Sequence, residues 1–341
     1  MSLKRHIPHA ALGLLMVSAA MPAAAQQAQY DRLFVFGDSL VDSGNAQILR
    51  AEVKGADPAP AALGYYQGRF SNGYNFADYL SLGITGAPAT ASFAGGINFS
   101  VGGAQAAEVA TDASPSFIEQ IGFFDAAGVT FDSKALVLIT LGGNDVRAQL
   151  AALATPGYVP TLTPAVDALT AGLGQLYARG ARNFVITGLP DIGQIPAVTQ
   201  LGLPGLNAAG TQLSAGLNNA FAQVTGGFDM QPGVNAVFFD LFNYQKTIYA
   251  NPGNYGLPVP LDRTSPCQVG TNPASGCEDN VYFDSIHPTT QVHFAIAQGI
   301  AGQIGIAAIP EPSTWMMMLF GFAMTGMALR QRRRTVRFAL A

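Results

Sequence analysis

The 341-residue chain is poor in charge and in the side chains that most often hold metals: 11% of its residues are Asp, Glu, Lys or Arg, two are cysteine and four are histidine. No cluster of cysteine or histidine suggests a metal, and no cofactor is expected. Basic residues are scarcest where a nucleic acid would need them. Residues 26–309 hold 10 Lys and Arg against 20 Asp and Glu, a formal charge of −10. Such a body argues against nucleic acid as a partner. The same stretch shows no repeat of fixed period and no low-complexity linker, so it reads as one domain. Gly-x-Ser-x-Gly occurs nowhere, which excludes the nucleophile elbow of ordinary α/β-hydrolases. What the chain has is apolar bulk, 49% of its residues, and 39 glycines, enough for a large core connected by many loops.

The two ends carry the remaining basic residues. Residues 1–25 begin with Lys4-Arg5, continue through an apolar run from Ala10 to Ala20 and end on Ala23-Ala24-Ala25, the pattern of a signal peptide cleaved before Gln26. An exported chain meets an oxidising compartment, so Cys267 and Cys277, ten residues apart in a Pro/Gly-rich loop, are expected to form a disulfide. At the other end, Pro310-Glu311-Pro312 precedes an apolar run from Thr314 to Leu329 and then Arg330-Gln331-Arg332-Arg333-Arg334. The run is shorter than the roughly 20 residues of a stable membrane helix, and its arginines would stay cytoplasmic. This ending resembles the PEP-CTERM sorting signal of Gram-negative bacteria. The resemblance implies a sorting and anchor segment over 310–334, a cytoplasmic tail over 335–341 and transient membrane anchoring. It further implies cleavage by an exosortase-type enzyme, and a path from the periplasmic side of the inner membrane to the cell surface or matrix.

Between the ends, strand and helix signals alternate. Strands are expected at Phe34–Phe36, around Ile97–Val101, at Ala135–Leu141, Asn183–Thr187 and Val234–Asp240. Helices are expected near Ser116–Ala126, Val146–Leu153, Pro164–Ala178, Asn207–Val224, up to about Tyr249, and from beyond Pro288 to about Gln303. Residues 51–75 read as loop. The run Ala135–Leu141 is apolar on both faces, as a central parallel strand requires. Ligands of such sheets bind outside the strands' carboxyl ends.

Chemistry-bearing residues fall at those ends. Gly37-Asp38-Ser39-Leu40 follows the first strand, where a helix N-terminus is expected and Ser39 is either a nucleophile or an N-cap. His6 and His9 leave with the leader, so the mature domain keeps only His287 and His293. His287 lies in Asp284-Ser285-Ile286-His287-Pro288, where Asp284 can orient an imidazole base. His293 falls within a helix and reads as packing or surface. Gly102-Gly103 and Gly142-Gly143-Asn144-Asp145 each follow a strand and could supply hydrogen-bond donors to an oxyanion, or be plain turns. Tyr65, Tyr66, Phe70, Tyr74 and Phe76 could line a groove or pack the scaffold.

Taken together, Gly37-Asp38-Ser39-Leu40, Gly102, Gly142-x-Asn144-Asp145 and Asp284-x-x-His287 resemble the four blocks of the SGNH, or GDSL, hydrolases, in order and over about residues 31–304. Asp42, Gly44, Asn45 and Gly68-Arg69-Phe70-Ser71-Asn72-Gly73 are similar to the lipase/esterase branch of that family, which includes lecithinase-like phospholipases. The resemblance implies an α/β fold, a three-layer α/β/α sandwich around a mostly parallel five-stranded sheet. It implies Ser39 as nucleophile, His287 as base and Asp284 as its orienter. The oxyanion hole would be the Ser39 N–H, the Gly102 N–H and the Asn144 side chain, with Gly103 as the alternative to Gly102. The expected activity is hydrolysis of small-molecule or lipid carboxylic esters through an acyl-serine. An acyltransferase with the same intermediate is the alternative, as is a non-catalytic surface or matrix binding protein.

Overall fold

A computed structural model describes residues 29–110, 113–268 and 277–306. Four strands form one parallel sheet in the order β1 (Arg32–Gly37), β2 (Ala135–Thr140), β3 (Asn183–Thr187) and β4 (Asn235–Phe239). Every residue of β2 is buried, which is why that segment has no polar alternation. Around the sheet run α1 (Asn45–Glu52), α2 (Phe76–Thr85), α3 (Phe117–Ala126), α4 (Gly143–Ala152), α5 (Thr163–Ala178), α6 (Pro196–Thr199), α7 (Pro204–Asp229), α8 (Leu241–Ala250) and α9 (Thr290–Ile304). Helix α5 packs on α3 and α7, while α9 packs on α2 and α8. Strand β1 separates the two layers: Phe34 and Phe36 meet Phe124 and Phe117 of α3, and the alternate residues face α2.

The expected fifth strand is replaced by a chain that follows β1 without becoming a strand. Val35 N–H donates to the Ile97 carbonyl (3.2 Å), and Phe99 and Val101 donate to the carbonyls of Val35 (2.7 Å) and Gly37 (3.0 Å). Its outer side is closed by backbone at Asn98, whose N–H donates to the Thr90 carbonyl (3.1 Å) and whose carbonyl accepts Ser92 N–H (2.8 Å), and by side chains beside it. The Asn45 amide donates to the carbonyls of Asn98 (2.7 Å) and Ser100 (2.8 Å), and the Asn98 side chain accepts from Ser100 N–H (3.0 Å). Only isolated bridges form on the two sides of Asn98, and the side-chain bonds fill the rest, so the sheet among the described residues has four strands with that edge covered.

Two further expectations change. Ser39 does not begin a helix: Val41 and Asp42 N–H close a turn on the Asp38 carbonyl, and α1 starts only at Asn45. Residues 76–85, to which no element was given, form α2, opened by a capping box between Asn75 and Asp78. Among the described residues no helix is long and apolar enough to cross a membrane. The leader over 1–25 and the segments 310–334 and 335–341 lie outside the described residues.

Candidate active site

The carboxyl ends of β1 and β2 are in register, Gly37 beside Thr140. A Cβ on Gly37 would lie 2.4 Å from the Thr140 carbonyl oxygen, so the strand can turn here only as glycine. The Gln120 side chain clamps the turn, accepting from Gly37 N–H and donating to its carbonyl, both at 2.8 Å. Ser39 is thereby held just beyond the sheet.

Asp42, three residues on, ties this turn to the next loop. Its carboxylate accepts from the N–H groups of Gly44 and Asn45 (both 2.7 Å), Ala46 (3.0 Å) and Gly102 (2.8 Å). One aspartate therefore caps α1 and anchors the glycine pair. The Gly102 N–H is spent on that anchor, which departs from the expectation of a free donor there. Gly103 turns the backbone at φ +90°, and its N–H, like that of Ser39, has no acceptor among the described residues. Asn144 stands on the opposite wall, at the start of α4. It donates one amide hydrogen to the Ala104 carbonyl (2.9 Å), and Asp145 beside it accepts Ala106 N–H through both oxygens (3.2 and 3.1 Å). The two donor loops are thus sewn together.

His287 and Asp284 arrive from the far end of the chain on the turn before α9. His287 Nε2 lies 2.7 Å from Ser39 Oγ, and His287 Nδ1 lies 2.7 Å from Asp284 Oδ2. The other Asp284 oxygen accepts the N–H groups of Ile286 (2.8 Å) and His287 (2.7 Å), which folds the turn around its own carboxylate. Burial alone would raise the Asp284 carboxyl, but the His287 charge and these hydrogen bonds hold it down at about 2. A serine hydroxyl, an imidazole and an ionised carboxylate in line can move a proton from oxygen to nitrogen and back.

Several contributors carry no motif. The Tyr65 hydroxyl donates to Asp284 Oδ2 (2.8 Å), its ring held edge-on against Phe283 and Phe70. Burial, and then the Asp284 charge, push the Tyr65 hydroxyl well above the usual phenol range. Arg147 donates to Asn144 Oδ1 (3.2 Å) and borders the site. The sequence marks Tyr65 only as a groove or scaffold aromatic and gives no signal for Arg147, because the Tyr65–Asp284 bond spans 219 residues and Arg147 acts through a single side-chain contact. Asp38 is buried beside Ser39, its carboxylate accepts Leu40 N–H (3.0 Å) alone among the described residues, and burial pushes its carboxyl up to about 7.

Of the five loop aromatics, Phe70 lines the cleft over Ser39, while Phe76 is fully buried in α2. Tyr66 and Tyr74 flank the Arg69 guanidinium, which is locked in a buried pair with Asp78 (2.6 Å). His293 is buried against Phe76; burial, and then the His287 charge, lower it to about 3, a packing residue kept neutral. Cys267 and Cys277 are joined by a disulfide, and the chain beside it runs back along the triad turn through Gln268 N–H to the Phe283 carbonyl (2.7 Å). Among the described residues no group of His, Cys, Asp and Glu could hold a metal ion.

A GDSL esterase/lipase of Arabidopsis thaliana is 26% identical over 344 residues, covering 85% of this chain and 94% of its own length. A second from the same plant is 29% identical over 331 residues, covering 81% of this chain and 88% of its own. An acetylxylan esterase from Geobacillus stearothermophilus superposes with a TM-score of 0.45 at 13% identity, over 82% of this chain and 97% of that one. Residues 308–334 match the PEP-CTERM protein-sorting motif, which indicates export and sorting to the cell surface or matrix. The family model of GDSL-like lipases and acylhydrolases matches residues 33–300, nearly the whole body, and the chain belongs to that family.

Proposed function

We propose that this protein is an exported serine hydrolase of carboxylic esters. The observation that carries the reading is the unbroken chain of hydrogen bonds from Ser39 Oγ through the His287 ring to Asp284. Family membership supports it.

In this reading His287 Nε2 takes the proton as Ser39 Oγ attacks the ester carbonyl carbon. The carbonyl oxygen gains negative charge and is met by the Ser39 and Gly103 N–H groups and the second amide hydrogen of Asn144. Gly103 takes the place first given to Gly102, because Asp42 already holds the Gly102 N–H. The imidazolium, steadied by Asp284, returns its proton to the departing alcohol and leaves an acyl-Ser39. Water, deprotonated by the same imidazole, then releases the acid and restores the serine. We further assign cleavage before Gln26, transient anchoring by the 310–334 segment and processing by an exosortase-type enzyme, supported by the sorting motif.

The test is hydrolysis of p-nitrophenyl acetate, butyrate, caprylate and palmitate by the protein and by its Ser39→Ala variant. Turnover that the variant lacks is expected, and the preferred chain length sorts esterase from lipase. Wild-type turnover matched by the variant would remove Ser39 from the chemistry.

A further inference from the structure

The cleft over Ser39 and His287, about 490 Å³, has a wall that includes Leu49, Val53 and Phe70 and carries two arginines, Arg50 and Arg147. Arg147 also borders the smaller hollow that holds Asp38, Ser39 and His287, so it stands where the two meet. Among the described residues neither arginine has a carboxylate partner, whereas Arg69 pairs with Asp78 and Arg179 with Asp125. Acids are not in short supply, since residues 26–309 hold 20 of them against 10 bases. Among the described residues the Arg147 side chain makes one hydrogen bond, from Nη1 to Asn144 Oδ1 at 3.2 Å, which leaves the rest of its fork uncommitted.

The neighbouring carboxylates do not fill that vacancy. Asp284 is saturated by His287, Ile286 and Tyr65, and buried Asp38 accepts from Leu40. Glu52 borders the cleft at the exposed end of α1, two residues from Arg50. A half-buried guanidinium loses hydration, and it recovers that loss best from a carboxylate or phosphate held by two parallel N–H groups. The surrounding body repels anions, so a pair of cations at the nucleophile is a local exception with a defined address.

We propose that the cleft takes esters bearing an anionic group, carboxylate or phosphate, close to the scissile bond, with Arg147 receiving the anion and Arg50 reinforcing it along the cleft. The inference rests on Ser39 being the nucleophile. The apolar wall takes the hydrocarbon part of the same substrate.

Matched substrates test it on the full chain. One pair is mono-p-nitrophenyl adipate and its methyl ester, which differ only in a carboxylate on the acid side. The other is 1-butyrylglycerol and its 3-phosphate, which places the anion on the alcohol side. We expect kcat/KM for the charged member of at least one pair to exceed its neutral twin roughly tenfold or more. That ratio should fall towards one in Arg147→Gln and in high salt, and be partly kept in Arg147→Lys. Arg147 touches Asn144, so absolute rates drop for both twins; the ratio cancels that loss. Ratios near one in the wild type, or a preference that survives Arg147→Gln and Arg50→Gln, overturn the proposal. If Arg147→Gln does not fold, Arg50→Gln and the salt dependence of the wild-type ratio decide. Hydrolysis of neutral twins alone keeps the serine reading and sinks this one, whereas no turnover of any twin sinks both.

Discussion

Tyr65 and His287 share one oxygen: the phenol hydroxyl donates to Asp284 Oδ2 at 2.8 Å, and His287 Nδ1 faces the same atom at 2.7 Å. The tyrosine therefore sets both where that carboxylate points and how much charge it offers the imidazole. Tyr65→Phe keeps the ring packing against Phe283 and Phe70 and removes one hydrogen bond. We expect kcat to fall about tenfold with KM little changed, as for loss of one hydrogen bond to a charged group. An unchanged kcat would make Tyr65 a packing residue only.

Asn144 spends one Nδ2 hydrogen on the Ala104 carbonyl and keeps a second for a substrate oxygen, so its variant is read in kcat with stability measured alongside. Asn144→Ala should lower kcat by about 10² to 10³ and leave KM nearly unchanged. Asp42→Ala should act differently, since four backbone N–H groups lose their acceptor. It should cost at least about 3 kcal/mol of stability, read from denaturant melts. An Asn144→Ala variant with near-native turnover would take its amide out of the oxyanion site.

Asp38 gives a stability slope with a definite sign. Burial holds its carboxyl at about 7 in the native state, against roughly 3.9 in an unfolded chain. Between those values the native protein keeps a proton that the unfolded chain has released. Stability from this group is therefore lost as pH rises through that window, on the order of 1.4 kcal/mol per unit. Asp38→Asn should lose no more stability than wild type near pH 4 and gain relative to it by pH 8. Parallel pH curves for the two proteins would refute the assignment.

The Cys267–Cys277 disulfide closes a short loop whose flank runs beside the triad turn. Its reduction should cost about 2–3 kcal/mol by loop closure, lowering the melting temperature. Activity should fall before global unfolding, as Phe283 and Asp284 lose their brace. Equal melting of the oxidised and reduced forms would show that the loop holds without it.

Much of this architecture was legible in the chain because local chemistry and global position agree. The strand Asn183–Thr187 falls where its β-branched run places it, and glycine or asparagine marks the site-bearing turns after β1 and β2. Helix α2 was overlooked although Asn75 and Asp78 form a legible capping box, because the glycine-rich loop before it hid the start. The missing fifth strand could not be read from Ile97–Val101, since what closes its outer side, the Asn45 amide and the backbone of residues 90–92, lies elsewhere in the chain. The same holds for the Gly102 N–H, whose capture by Asp42 depends on a three-dimensional approach that spacing does not encode.

Ser39, the proposed nucleophile, sits near the start of the domain, while Asp284 and His287 share one four-residue turn near its end. A chain that emerges from its N-terminus therefore presents a serine with no partner until the last helix, α9, has docked against α2. On the proposed mechanism, reactivity arrives with the final thirty or so residues of the body, and a chain that stops short of His287 lacks its base. On that proposal, the order of Ser39, Asp284 and His287 along the chain acts as a safety catch in a protein exported before it is sorted.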